Sequence, residues 1–120
     1  MKIENIEQIR SLALQGENNT VEFKKSTGQL ERSMETLCAF LNRDGGTVLF
    51  GISDKGEIIG QEVADSTRQD IAEALSRFQP SITPQISYIN IPATPNKYII
   101  AIKTSESRSH RPYYYKRTPY

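Results

Sequence analysis

The chain has 120 residues, with 15 Lys+Arg against 14 Asp+Glu, 37% hydrophobic residues, one Cys, one His and no Trp. A chain this long hides roughly two-thirds of its unfolded surface, which suffices for one core and leaves no room for a second domain. A net charge of +1 excludes strong, sequence-blind attraction of polyanions by the bulk field, so any nucleic-acid surface has to be a local patch.

Residues 3–14 place Ile3, Ile6, Ile9, Ala13 and Leu14 at spacings near three and four, which predicts a short amphipathic helix stopped by Gly16. Residues 20–24 alternate, with Val21 and Phe23 on one face and Glu22 and Lys24 on the other, so a half-buried strand with outward charges follows. Leu30, Met34, Leu37, Cys38 and Leu41 form one helical stripe, closed by Gly45-Gly46, and Cys38 is read as a small buried hydrophobe. Residues 47–52 are a continuous apolar run, expected as a central strand. Residues 54–57 are a turn signal, with 57–60 returning as the second arm of a hairpin. Asp65 or Ser66 caps the next helix, which carries Ile71, Ala74, Leu75 and Phe78 on its apolar side and ends at Pro80. Strands at 85–91 and 97–103 flank a turn at 92–96, and a last extended piece starts near Tyr113. This order predicts a single α+β domain with a mixed sheet and helices packed on it.

The compartment follows from small signals. A lone cysteine makes no internal disulfide, and with a single His it builds no zinc finger. No apolar run approaches about 18 residues, and the opening MKIENIEQIR is amphipathic where a signal peptide is basic then apolar. A cytoplasmic protein is expected.

Two clusters carry possible chemistry. Glu17, Glu22 and Lys24 span a loop and the strand after it, and Asp54 is the third carboxylate if the two strands are neighbours. Gathered carboxylates hold Mg²⁺ or Mn²⁺, and a nearby Lys neutralises a phosphate. The alternative is a solvent-facing Glu22–Lys24 pair and an Asp54 that only starts a turn. The second cluster is basic: Lys103, Arg108, Arg111, Lys116 and Arg117, opposed by Glu106 and interleaved with Tyr113, Tyr114 and Tyr115. A solvated tail is the alternative there. Gly45, Gly46 and Gly51 fit neither GxxxxGK[ST] nor GxGxxG, so ATPase chemistry is not supported. His110 lies far from buried Cys38, which leaves no nucleophile–base pair.

Residues 16–24 (GENNTVEFK), 37–42 (LCAFLN) leading into 45–54 (GGTVLFGISD), then 56–60 (GEIIG) and 111–116 (RPYYYK), together resemble the Schlafen AlbA-2 domain family. The resemblance implies a nucleic-acid-binding domain of a bacterial transcriptional regulator, forming the N-terminal part of a longer protein. It also implies a second activity, because relatives that cleave RNA use a metal-dependent acidic centre. The family's acids fall on Glu17, Glu22 and Asp54, with Mg²⁺ or Mn²⁺ as the cofactor of such a nuclease.

Three readings therefore stand. In the first, Lys24, Lys25, Arg108, Arg111, Lys116 and Arg117 contact the phosphates of DNA or RNA, with Tyr113 and Tyr115 stacking on exposed bases. The second is a metal-dependent endoribonuclease in which Glu17, Glu22 and Asp54 hold the metal and Lys24 steadies the scissile phosphate. The third is a protein-interaction or homodimerisation domain. The first two require the acidic and basic clusters to share one concave surface.

Overall fold

The computed structural model describes residues 2–105 and 110–120. Helix α1 (Ile6–Gln15) begins at Asn5, whose Oδ1 accepts from the Gln8 N–H at 2.9 Å while Gln8 Oε1 accepts from the Asn5 N–H at 3.1 Å. This reciprocal box satisfies two N–H groups that a helix start otherwise leaves open. Strand β1 (Val21–Lys24) leads through a 3₁₀ turn (Thr27–Gln29) into α2 (Leu30–Leu41), then β2 (Gly46–Phe50) and α3 (Asp65–Leu75). Strands β3 (Phe78–Gln79), β4 (Gln85–Ile91), β5 (Thr94–Thr104) and β6 (Tyr114–Tyr115) complete the chain.

The main sheet runs β1-β2-β5-β4, with β1 and β2 parallel and the remaining pairs antiparallel, while β3 and β6 pair separately. Its faces are filled by alternation along the strands. Val48, Phe50, Ile100 and Ile102 face α2 and α3 together with Phe78, Tyr113 and Tyr115. Val21, Phe23, Leu49, Ile99 and Ala101 face α1 with Ile9 and Ala13. The fold is α+β, a mixed sheet with helices on both faces.

The link from α2 to β2 needs both glycines. Gly45 takes φ +83°, and a Cβ on Gly46 would lie 2.5 Å from the Phe40 ring and 2.9 Å from the Thr20 carbonyl oxygen. Gly46 is where the backbone passes under α2.

The structure differs from the pattern in several places. Helix α1 starts three residues after Ile3, which is buried ahead of the cap, and Leu14 is 89% exposed rather than apolar-face. Residues 57–60 return alongside 51–53 as an irregular arm rather than a strand: the Ser53 N–H donates to the Glu57 carbonyl at 2.9 Å, and the Ile59 and Gly60 N–H groups both donate to the Gly51 carbonyl at 2.8 Å, around the single bridge Ile52–Ile58. Helix α3 is capped by Ala64, whose N–H donates to Thr67 Oγ1 at 3.1 Å, which puts Asp65 in the first turn where its charge suits the helix end. Phe78 lies past the helix in β3, buried against the Tyr115 ring at 4.9 Å between centroids. Strand β5 also starts earlier than expected, at Thr94.

Candidate nucleic-acid interface

Strand β1 is an edge strand, and its two faces meet different surroundings. Val21 and Phe23 enter the core under α1, while Glu22 and Lys24 point toward the α2 side, half-buried rather than fully outward. Glu22 Oε2 sits 3.4 Å from Lys24 Nζ and accepts from Thr36 Oγ1 of α2, also at 3.4 Å. The strand then leaves the sheet. The Lys24 carbonyl accepts from the N–H groups of Gly51 (2.7 Å) and Ile52 (3.1 Å), which fixes residues 24–26 across the end of β2.

Two further locks hold this exit. Ser26 Oγ accepts from the Gly28 N–H at 3.1 Å, and Gln61 clamps Thr27 by accepting from its N–H (3.0 Å) and donating to its hydroxyl (3.1 Å). On the other side Ser53 Oγ accepts from the N–H groups of Lys55 and Glu57, making a closed turn that carries Asp54. Between exit and turn lies a groove of about 670 Å³ whose walls include Lys24, Lys25, Ser26, Gln29, Arg32 and Asp54. Three cations and one carboxylate line it, with Glu22 paired to Lys24, so the groove is locally more basic than the near-neutral chain as a whole. A second hollow of about 670 Å³ lies between α2 and α3, shares Gly28, Gln29 and Arg32 with the first, and adds Glu31, Asp70, Glu73 and Arg77.

The acidic residues do not meet. Glu17 Oε2 accepts from the Phe23 N–H at 2.8 Å, closing the free edge of β1. Glu22 lies over the α2 side, and Asp54 stands in the turn beyond β2. Among the described residues no three acidic, His or Cys side chains are grouped so as to hold a metal ion. As placed, Glu17, Glu22 and Asp54 do not fit Mg²⁺ or Mn²⁺.

The basic segment is divided by its own tyrosines. Tyr113 and Tyr115 are 4% and 1% exposed, so neither ring is available to a base; Tyr114, between them, points outward. Asn42, just past α2, holds this segment: its Oδ1 accepts from the Tyr113 N–H (2.6 Å), and its Nδ2 donates to the backbone oxygens of Tyr113 (2.9 Å) and Tyr120 (2.7 Å). Cys38 Sγ also donates to the Tyr113 carbonyl at 3.4 Å, and burial pushes its thiol pKa up. The segment thus runs antiparallel to α2. Arg111 pairs with Asp44 at 3.9 Å beyond the C-terminal end of the helix, and Lys116 pairs with Glu31 in its first turn, a helix length of about 18 Å away. Lys103 pairs with Thr47 at the start of β2, the opposite end from the groove. Arg108 lies outside the described residues.

The groove therefore gathers Lys24, Lys25 and Asp54, and brings in Lys116 only through Glu31 at the adjoining hollow. Arg32 was not among the expected residues. Its signal was available: a cation in the first turn of a helix opposes the macrodipole, and such a placement asks for an anion.

Residues 17–120 match the family described as Schlafen, AlbA_2. The chain belongs to this family. Among solved structures, the Schlafen AlbA_2 chain is similar to the DIP2311 protein from Corynebacterium diphtheriae, with a TM-score of 0.60 and 19% sequence identity over 92% of the present chain. At that identity the likeness shows the fold alone. The chain spans only 26% of the length of that protein. No helix among the described residues of this AlbA_2 domain is long and apolar enough to cross a membrane.

Proposed function

We propose that the domain binds nucleic acid through the groove at the exit of β1, with Lys24, Lys25 and Arg32 contacting backbone phosphates. The observation that carries this reading is that Lys24, Lys25 and Arg32 line one hollow with Asp54, an excess of cations that persists after Glu22 is counted against Lys24, and that Ser26, Gln61 and Ser53 fix its walls by hydrogen bonds. Phosphate contacts of this kind position a ligand and give salt-dependent affinity. Because Tyr113 and Tyr115 are core residues, base stacking on them is not part of the mechanism. Where the ligand is DNA, such a domain serves as the binding part of a transcriptional regulator.

The test is binding of labelled DNA and RNA, single- and double-stranded, across a salt series. Affinity should fall steeply with salt, and the Lys24→Ala/Lys25→Ala variant should lower the slope by about 0.9 for each duplex phosphate it no longer neutralises. No binding at low salt, or binding indifferent to salt, removes the proposal. Cleavage is a separate outcome. The endoribonuclease reading requires Glu17 to release the Phe23 N–H and Glu22 to release Lys24 before either could serve a metal. RNA cut in the presence of Mn²⁺ or Mg²⁺, with activity abolished in Glu22→Gln, would replace binding alone by catalysis.

A further inference from the structure

Among the described residues, seven have positive φ, and five of them are glycines. The other two are Lys116 (φ +49°) and Arg117 (φ +72°), neighbours at the tip of a tight turn. Tyr115 and Thr118 close that turn with both backbone bonds, N–H to carbonyl at 2.8 Å and 3.0 Å. A two-residue hairpin loop with positive φ at both central positions strongly favours Asn-Gly or Asp-Gly, because a Cβ is crowded in the left-handed region. Here the chain places two long cations there. The turn is also firmly seated: Tyr115 is buried beneath it, the Lys116 N–H donates to the Arg77 carbonyl at 3.3 Å, and Lys116 Nζ pairs with Glu31. Both Glu31 and Arg77 line the hollow between α2 and α3, which shares Arg32 with the β1 groove; its remaining carboxylates are Asp70 and Glu73, the latter paired with Arg77 at 2.9 Å. Arg117 is exposed and makes no ion pair among the described residues.

We propose that the Lys116–Arg117 turn, seated through Lys116 on Glu31 and Arg77 at the wall of the hollow that adjoins the β1 groove, is a second phosphate-contacting element that keeps Arg117 exposed, with Glu31 occupying Lys116 when no polyanion is bound. This deepens the nucleic-acid reading above and rests on it. A side chain seated in an unfavourable backbone conformation persists where the surroundings over-determine it, and such positions cluster at ligand contacts. The ligand class is a polyanion long enough to run from Lys24 and Lys25 past Arg32 to the turn, which suits a nucleic-acid backbone better than a single phosphate group.

The experiment compares wild type, Arg117→Gly, Arg117→Lys, Glu31→Gln and Lys24→Ala/Lys25→Ala for binding to a labelled DNA duplex and its RNA counterpart over a salt series. Thermal unfolding is recorded on each. Glycine suits the left-handed position, so Arg117→Gly should raise the unfolding midpoint by roughly a few degrees. It should also weaken binding roughly threefold or more at low salt and lower the salt slope by about one. Arg117→Lys should retain the affinity, and Glu31→Gln, by freeing Lys116, should increase it. Arg117→Gly with unchanged affinity and slope overturns the proposal, since the turn would then be merely tolerated. If Lys24→Ala/Lys25→Ala loses binding while Arg117→Gly does not, the groove stands and only this element falls. If wild type binds neither duplex at low salt, the nucleic-acid reading falls with it.

Discussion

The two basic stretches of this domain, residues 24–25 and 111–117, are alike in sign of charge and opposite in fate. At the first, Val21 and Phe23 pin one face of a short edge strand, and the cations come at its exit, where the backbone turns away from the core. At the second, aromatic residues alternate with the other side chains, so that Tyr113 and Tyr115 are drawn into the core and set the path of everything around them. Arg111 and Lys116 end up at opposite ends of α2. Aromatic interleaving in a basic segment is thus a packing signal first, and a base-stacking signal only where the rings stay exposed.

The largest expected effect breaks the comparison at its centre. Tyr115→Ala removes a fully buried ring packed on Phe78 and should cost about 3–5 kcal/mol in denaturant unfolding, whereas Tyr114→Ala, on the exposed side, should stay within roughly 0.5 kcal/mol. Equal costs at the two positions would mean that the segment does not lie along α2. Asn42→Ala comes next. It strips the Tyr113 N–H of its acceptor and the Tyr120 oxygen of its donor, and leaves the Tyr113 carbonyl only the Cys38 thiol, which should cost about 2–3 kcal/mol by the same measurement and speed limited proteolysis between residues 110 and 120.

A third variant pair sharpens the functional half. Lys24→Ala/Lys25→Ala should weaken duplex binding roughly tenfold at low salt, while Arg111→Ala should leave affinity and salt slope unchanged because its guanidinium is directed to Asp44, away from the groove. The Arg111 Nε and Nη2 are buried without hydrogen-bond partners among the described residues, a desolvation cost that the 3.9 Å pair with Asp44 offsets only in part. An equal fall in affinity in Arg111→Ala would join the two basic stretches into one surface.

The architecture was largely legible because it rests on periodicity: the β1 alternation, the α2 stripe and the Gly45-Gly46 link all appear in the fold with the roles their patterns imply. What periodicity misses is competition between elements. Nothing local to residues 57–60 says that their arm stays irregular and leads on to a bridge between Gln61 and Tyr98 of β5, and nothing local to Phe78 says that β6 will come to pair with it. The site was half legible for the same reason. Lys24, Lys25 and Asp54 are brought together by chain exits that neighbouring strands dictate, whereas the Glu17 carboxylate finds a nearer partner in the Phe23 N–H. Asn42, which looks like an ordinary residue after a helix, binds segments more than 70 positions away, and no local pattern announces such a contact.

The smallest effect concerns the ion pair that ties the second stretch to the start of α2. The hydrogen bond and charge of Lys116 hold the Glu31 carboxyl below its ordinary value of 4.5. A carboxyl whose pKa is depressed by folding adds stability that is fully present above the ordinary value and disappears as pH falls through the folded one. Both partners are largely exposed, so the contribution is modest and screened by salt. Glu31→Gln should therefore be slightly less stable than wild type near neutral pH, and the two unfolding curves should merge as pH drops well below 4.5. A gap that persists unchanged in acid would show that Glu31 holds the turn by packing rather than by charge. In that case neutralising Glu31 would release no cation, and the gain in binding expected of Glu31→Gln would vanish too.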